Sequence, residues 1–220
     1  MGSALPRRRW SIGAVLATVL AATAGTLVAA TPAAAAPCTD VDVVVARGTG
    51  EPGQLGLIVG DPVFSAIQRR LSGTSATGSR VEYPASVSPS SPTDGNRALV
   101  AHVTSQAQAC PSQRFILVGY SQGANVVGNS LGISSQGAAV GGPVVATIPA
   151  SIEPRVAAVL VFGYPLRKLG RGITGTYAQR TLDICAPLDI VCSPLGTSTL
   201  AHLSYGNNAT QAATFAVARL

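Results

Sequence analysis

Charged, aromatic and imidazole side chains are all in short supply in this chain. Of its 220 residues only 11% are Asp, Glu, Lys or Arg and 5% are aromatic, with two histidines and a single lysine. An average soluble domain carries about 25% charged residues. A nucleic-acid surface needs a basic stripe with aromatics interleaved, and neither occurs, so no nucleic-acid partner is expected. Neither histidine is paired at ligand spacing and no C-x-x-C is present, which leaves nothing to build a metal centre from. No cofactor is expected either. No internal repeat is visible, and the length suits one domain with a substantial core.

What is present begins with a leader. Arg7, Arg8 and Arg9 precede a nearly charge-free run from Ile12 to Ala30 that ends in TPAAAAPC. A basic start, an apolar middle and a small-residue cleavage site are the layout of a secretory signal peptide. The run is long enough to span a bilayer, but Ala, Thr and Gly dominate it rather than Leu and Ile. The expectation is a signal over residues 1–35, a catalytic domain over 36–220, and a protein that is secreted or associated with the cell envelope. Loss of the three leader arginines takes the formal charge from +6 to +3. The largest remaining basic cluster, Arg167, Lys168 and Arg171 in PLRKLGRG, is either a contact for anionic lipid or envelope polymer or an ordinary solvated loop.

Four cysteines follow the leader, an even number in an exported chain, so two disulfides are expected. Three pairings exist in principle. Cys185 and Cys192 are close enough in sequence to clip one loop, which leaves Cys38 to pair with Cys110.

VDVVVARGTG (41–50) is a continuous apolar run stopped by glycines, as a strand buried on both faces must be. SRVEYPA (79–85), RFILVGY (114–120), RVAAVLVFGYP (155–165) and QRTLDIC (179–185) resemble it. Helices are expected over 61–71, with Asp61 as cap and Pro62 in the first turn, over 94–110, and from about 208 to 218. Strands alternating with helices give a parallel sheet covered on both faces, a three-layer α/β/α sandwich with five strands. The stretch 132–151 is too rich in Gly and Ser to assign.

Gly119-Tyr120-Ser121-Gln122-Gly123 is a G-x-S-x-G between the third strand and a helix. In that place the chain turns so sharply that the Ser backbone is strained and flanking side chains would collide. The hydroxyl then projects above the C-terminal edge of the sheet, where open α/β folds place their sites. The N–H of Gln122, at a helix start, suits the negative oxygen of a tetrahedral intermediate. A Ser hydroxyl needs a base, and the base an orienting carboxylate. Chain order Ser-acid-His admits only His202, because His102 precedes Ser121 and reads as an ordinary helix-face residue. Of three later carboxylates, Glu153 precedes its strand and Asp183 lies inside one. Asp189, in CAPLDIVC just after the fifth strand, is the orienting acid. Thr49, in ARGTGE after the first strand, offers a backbone N–H and a hydroxyl as the second oxyanion donor.

With these residues assembled, the chain resembles the cutinase family, secreted serine esterases of the α/β-hydrolase type. The likeness runs from Cys38 to about Phe215 through ARGTGE, GDPVF, CPSQRFILVGYSQGA, CAPLDIVC and AHLSYGNNA. It implies Ser121, Asp189 and His202 as the triad, Thr49 and Gln122 as the oxyanion hole, and disulfides Cys38–Cys110 and Cys185–Cys192. It also implies a compact five-stranded sheet without a full lid. One departure stands out: Phe162-Gly163-Tyr164-Pro165 replaces the family's Phe-Gly-Asp-Pro. The alanine-rich leader and scarce lysine suggest an actinobacterial member acting on lipid rather than plant cutin.

The function expected is therefore hydrolysis of short- to medium-chain acyl esters or lipids through an acyl-enzyme, by a monomer that meets lipid or envelope peripherally. Two rivals are retained. A phospholipase or acyltransferase would use the same three residues on envelope lipids, and a non-catalytic envelope-binding protein would keep the fold as a scaffold.

Overall fold

The computed structural model describes residues 1, 2 and 38–220, so the expected signal peptide lies, but for its first two residues, outside the described part. From Cys38 onward the chain forms a five-stranded, all-parallel sheet in the order β2-β1-β3-β4-β5. The strands are β1 (Val41–Ala46), β2 (Ala76–Arg80), β3 (Arg114–Tyr120), β4 (Val156–Phe162) and β5 (Thr181–Ile184).

Alternation along each central strand feeds two separate cores. Val41, Val43 and Val45 of β1, with Ile116, Val118, Ala158 and Leu160, pack beneath helices α1 (Gly60–Arg70) and α5 (Ala209–Val217). Val44, Ala46, Phe115, Leu117, Val159 and Val161 face α2 (Ser91–Ala109) and α3 (Gln122–Ser130). Apart from the buried Asp42 of β1, both faces of β1, β3 and β4 are thus apolar, which is why those strands read as greasy runs. The result is the expected three-layer α/β/α sandwich.

Three local expectations need correction. The second strand is Ala76–Arg80 rather than 79–85. It is an edge strand paired with Val41–Val45, and an edge needs little apolar content; the more hydrophobic Val81, Tyr83 and Ala85 turn off the sheet into the core. Helix α2 begins at Ser91 rather than Asp94, because Pro92 is compatible with a first turn. Asp61 does not cap α1. Its Oδ1 instead accepts the N–H of Leu55 at 2.9 Å, bracing the loop that enters the helix.

The stretch 132–151 contains no helix or strand except turns. Asparagine side chains hold it. Asn125 and Asn129, one turn apart on α3, donate to the carbonyls of Ala139 and Gly142 at 2.9 and 3.2 Å, and Asn129 Oδ1 accepts the N–H of Ser135 at 2.8 Å. Asn96 on α2 accepts the N–H of Val145 at 2.9 Å and donates to Ala146 O at 2.9 Å.

Both disulfides form as expected, Cys38–Cys110 and Cys185–Cys192, and the described residues include no free cysteine. The first ties the start of the domain to the end of α2 across 72 residues. In the chain-entropy account a loop of that size is worth about 4 kcal/mol. The double variant Cys38→Ser/Cys110→Ser is expected to lose roughly that much unfolding free energy in urea titration. An unchanged midpoint would show that the bridge does not constrain the unfolded chain.

Candidate active site

The strand order puts a topological switch between β1 and β3: the chain leaves β1 toward β2 and returns on the other side. The loops after β1 and β3 therefore diverge at the C-terminal edge and leave a crevice. Ser121 sits there, directly after β3, with φ 55° and ψ −118°. A side chain is rarely tolerated at such a φ, and the strain is held by the elements on either side. Gly123 shows how tight the turn is: a Cβ there would lie 1.9 Å from the carbonyl oxygen of Ala46.

Around that turn a continuous chain of hydrogen bonds runs through three buried side chains. His202 Nε2 is 2.9 Å from Ser121 Oγ, and His202 Nδ1 is 2.8 Å from Asp189 Oδ2. With the Nδ1 proton directed at the carboxylate, Nε2 is the lone pair facing the hydroxyl. His202 ends the short helix α4 (Thr199–His202), whose start is capped by the Ser198 side chain accepting the Ala201 N–H at 3.0 Å. Tyr120 adds a fixing bond, its hydroxyl donating to His202 O at 2.7 Å.

Asp189 is completely buried. Its Oδ1 accepts the N–H groups of Val191 and Cys192 at 2.6 and 3.4 Å, both inside the loop closed by Cys185–Cys192. Its Oδ2 accepts the Tyr205 hydroxyl as well as His202. Burial presses the pKa of this carboxyl upward, but the bonds from Tyr205, His202 and Val191 outweigh it and hold the group below its ordinary range. The acid is thereby kept ionised against the imidazole.

Thr49 and Ser121 line one cleft of about 380 Å³, together with Glu51, Ile58, Tyr120, His202 and Leu203. The backbone N–H groups of Thr49 and Gln122 donate to no acceptor among the described residues, as donors reserved for a substrate oxygen would. Gln122 is wholly buried and its side chain is pinned on both atoms: Oε1 accepts from Ser91 Oγ at 2.9 Å and Nε2 donates to Ser86 O at 2.8 Å.

The residues set aside at the start lie elsewhere. His102 pairs with Asp42 of β1 at 2.7 Å, under α2. Glu153 lies at the N-terminal end of β4 and pairs with Arg180. Asp183, in the edge strand β5, is 3.4 Å from Arg167. Tyr164, the departure from the family pattern, points into the core against Gly128 of α3 and not into the cleft.

Two supporting residues escaped the reading of the sequence. Tyr205 bridges the acid loop, accepting the Ala186 N–H at 3.0 Å while donating to Asp189. Glu51 organises the Thr49 loop, its two oxygens accepting the N–H groups of Gly48 and Ile58 at 2.7 Å each. Burial raises its pKa against the pull of those donors. The signals available were slight: a tyrosine three residues after His202, and a lone acid in a glycine-rich loop.

A five-stranded parallel sheet with a Ser on a strained strand-to-helix turn, facing a buried His and Asp from later loops, defines an α/β-hydrolase. Residues 37–220 match the model of the Cutinase family, and the chain belongs to that family. It is 48% identical over 178 residues to a cutinase from Kineococcus radiotolerans, across 79% of this chain and 58% of that protein. The chain thus spans less than two thirds of that relative's length. It is 34% identical to carboxylesterase Culp1 of Mycobacterium bovis, across 95% and 94% of the two chains. Among solved structures, Trichoderma reesei cutinase in complex with a phosphonate inhibitor superposes with a TM-score of 0.66 at 31% identity, covering 83% of this chain and 77% of that one.

Proposed function

We propose that the protein is an exported carboxylic-ester hydrolase acting through an acyl-enzyme, with residues 1–35 as its signal peptide and 36–220 as its catalytic domain. Ser121 Oγ attacks the ester carbonyl carbon while its proton passes to His202 Nε2, and the N–H groups of Thr49 and Gln122 receive the oxyanion. Collapse of the intermediate expels the alcohol, which takes the proton from His202. Water then attacks the acyl-enzyme, gives its proton to His202, and the carboxylic acid leaves as Ser121 is restored. Asp189 holds the imidazole in the required tautomer and stabilises it when charged.

One observation carries this reading: the unbroken Ser121–His202–Asp189 chain, with bonds of 2.9 and 2.8 Å, opening on the cleft that Thr49 shares. The names cutinase and carboxylesterase carried by the relatives agree with it.

The test is turnover of p-nitrophenyl esters from butyrate to palmitate, together with labelling by a fluorophosphonate. Hydrolysis with the label on Ser121 is the expected result, and the best chain length reports which acyl groups the cleft accepts. A folded protein that takes no label and cleaves no ester in the series would sink the hydrolase reading.

A further inference from the structure

At the edge of the sheet opposite Ser121 the strands leave an opening. β5 pairs with β4 only from Val159 onward, so the first residues of β4 have no neighbour on that side. On the other side the ladder with β3 skips Ala157, since Phe115 faces Val156 and Ile116 faces Ala158. A bulge of this kind interrupts pairing and re-aims the backbone around it. The result is a cavity of about 300 Å³ beside Val156 and Ala157, lined also by Thr176, Gln179 and three arginines, Arg114, Arg180 and Arg219. That volume is at the lower end of cavities that take small ligands.

The guanidinium groups reach the cavity from three directions. Arg114 opens β3, Arg180 ends the 3₁₀ turn Gly175–Arg180, and Arg219 follows α5. Little negative charge offsets them. Glu153 pairs with Arg180. Arg114 donates to Leu220 O at 2.5 Å and Arg219 to Phe215 O at 2.8 Å, and neither meets an Asp or Glu among the described residues. Asp40, on a neighbouring cavity that Arg114 also lines, is taken up by the N–H and hydroxyl of Ser75 at 2.7 Å each. Even with a carboxyl group at Leu220 counted beside Glu153, the three arginines keep an excess of positive charge. Arg155, the residue before Val156, adds to it, because it donates to the carbonyls of Gln113, Ala107 and Cys110 and to no acid. Arg219 is also held in place, its guanidinium 3.4 Å from the centre of the Phe215 ring.

We propose that this cavity binds a phosphate group, either as the free ion or as a phosphomonoester of a small molecule. The planar fork of each arginine matches phosphate oxygens in pairs. A tetrahedral dianion has oxygens enough for forks converging from three elements, whereas a carboxylate has two. Thr176 supplies a hydroxyl and Gln179 an amide as further donors. The site is separate from the ester-hydrolase reading, for Arg114 and Ser121 stand at the two ends of β3, roughly 20 Å apart on a strand of that length.

The experiment uses the full chain in a phosphate-free buffer. Calorimetric titration and thermal unfolding are followed with sodium phosphate and with glycerol 3-phosphate, against sodium acetate and sodium chloride at equal ionic strength. A phosphate ligand at a hundred times its Kd should raise Tm by roughly 5–10 °C, and acetate and chloride should not. Arg114→Gln/Arg219→Gln should weaken binding tenfold or more, the scale of a lost charged hydrogen bond, with circular dichroism unchanged and turnover of p-nitrophenyl esters as in the parent. Arg219→Gln alone gives up one bond, to Phe215 O, and makes the same test should the double variant fail to fold. Tighter binding of glycerol 3-phosphate assigns the cavity to phosphomonoesters and tighter binding of phosphate to the free ion; either supports the proposal. Stabilisation no greater than that by chloride, or an affinity that survives the arginine variants, would overturn it. A protein that cleaves no ester would still give the binding result.

Discussion

Ser121→Ala is expected to lower kcat by on the order of 10⁶-fold, the scale seen when a serine nucleophile is removed from a hydrolase of this kind. The loss is confined to chemistry, because the Ser121 hydroxyl has His202 as its partner among the described residues and carries no part of the fold. Its backbone does the structural work, the Ser121 N–H donating to Phe162 O at 2.9 Å, and an Ala preserves that bond. Unfolding free energy should therefore stay within about 0.5 kcal/mol of the parent. Measuring turnover and urea stability on the same sample separates the two effects. A variant that kept a tenth of the parent rate would place the nucleophile elsewhere.

Asp189→Asn should lower kcat by about 10⁴-fold while leaving the backbone trace intact, since an amide offers the imidazole the wrong tautomer partner. The same carboxylate allows a graded perturbation. Tyr205→Phe removes one donor from Oδ2 but keeps a ring packed edge-on against Phe162 and Tyr120. The sign follows from the lowered pKa of Asp189. A carboxyl depressed on folding stabilises the protein above its unfolded pKa, and that contribution disappears as the pH falls through the folded value. Without the Tyr205 bond the carboxyl moves back toward its ordinary range, so acid inactivation begins at a higher pH. As the carboxyl protonates at a higher pH, the acid limb of the kcat/KM profile shifts upward with it. A roughly tenfold drop in kcat accompanied by that shift fits a positioning residue that acts through Asp189. A drop with no movement of the profile would mark Tyr205 as packing alone.

The reach of the sequence is clearest where one residue has one reason to be there. Val43 to Ala46, Phe115 to Tyr120 and Val156 to Phe162 are apolar because both their faces are covered, and no solvated element requires that pattern. The elbow was legible for a related cause: with two histidines and three downstream acids, chain order and strand position leave one combination, and the structure brings its members within hydrogen-bonding distance. What escaped is contact between residues remote in sequence. Ala76–Arg80 joins the sheet through its backbone and has little side-chain pattern to announce it. Glu51 and Tyr205 act through partners whose positions only the folded chain defines. The same holds for 132–151, whose attachment resides in asparagines belonging to two helices.

That attachment has a consequence for how the fold can vary. The anchors are amides rooted in α2 and α3, and what they grip between Ala138 and Ala146 is backbone, through carbonyls and N–H groups that every such residue supplies alike. Side chains inside the segment add to this hold: Ser135 Oγ accepts the Gly142 N–H at 3.0 Å and donates to Gly142 O at 3.1 Å, and Ala138 packs against the core. Variation is therefore confined to its outward positions: exposed residues such as Gln136 and Ala139 can be rewritten, by drift or by an engineer, whereas Asn96, Asn125, Asn129, Ser135 and Gly141, where a Cβ would lie 2.0 Å from Ser135 O, have to remain.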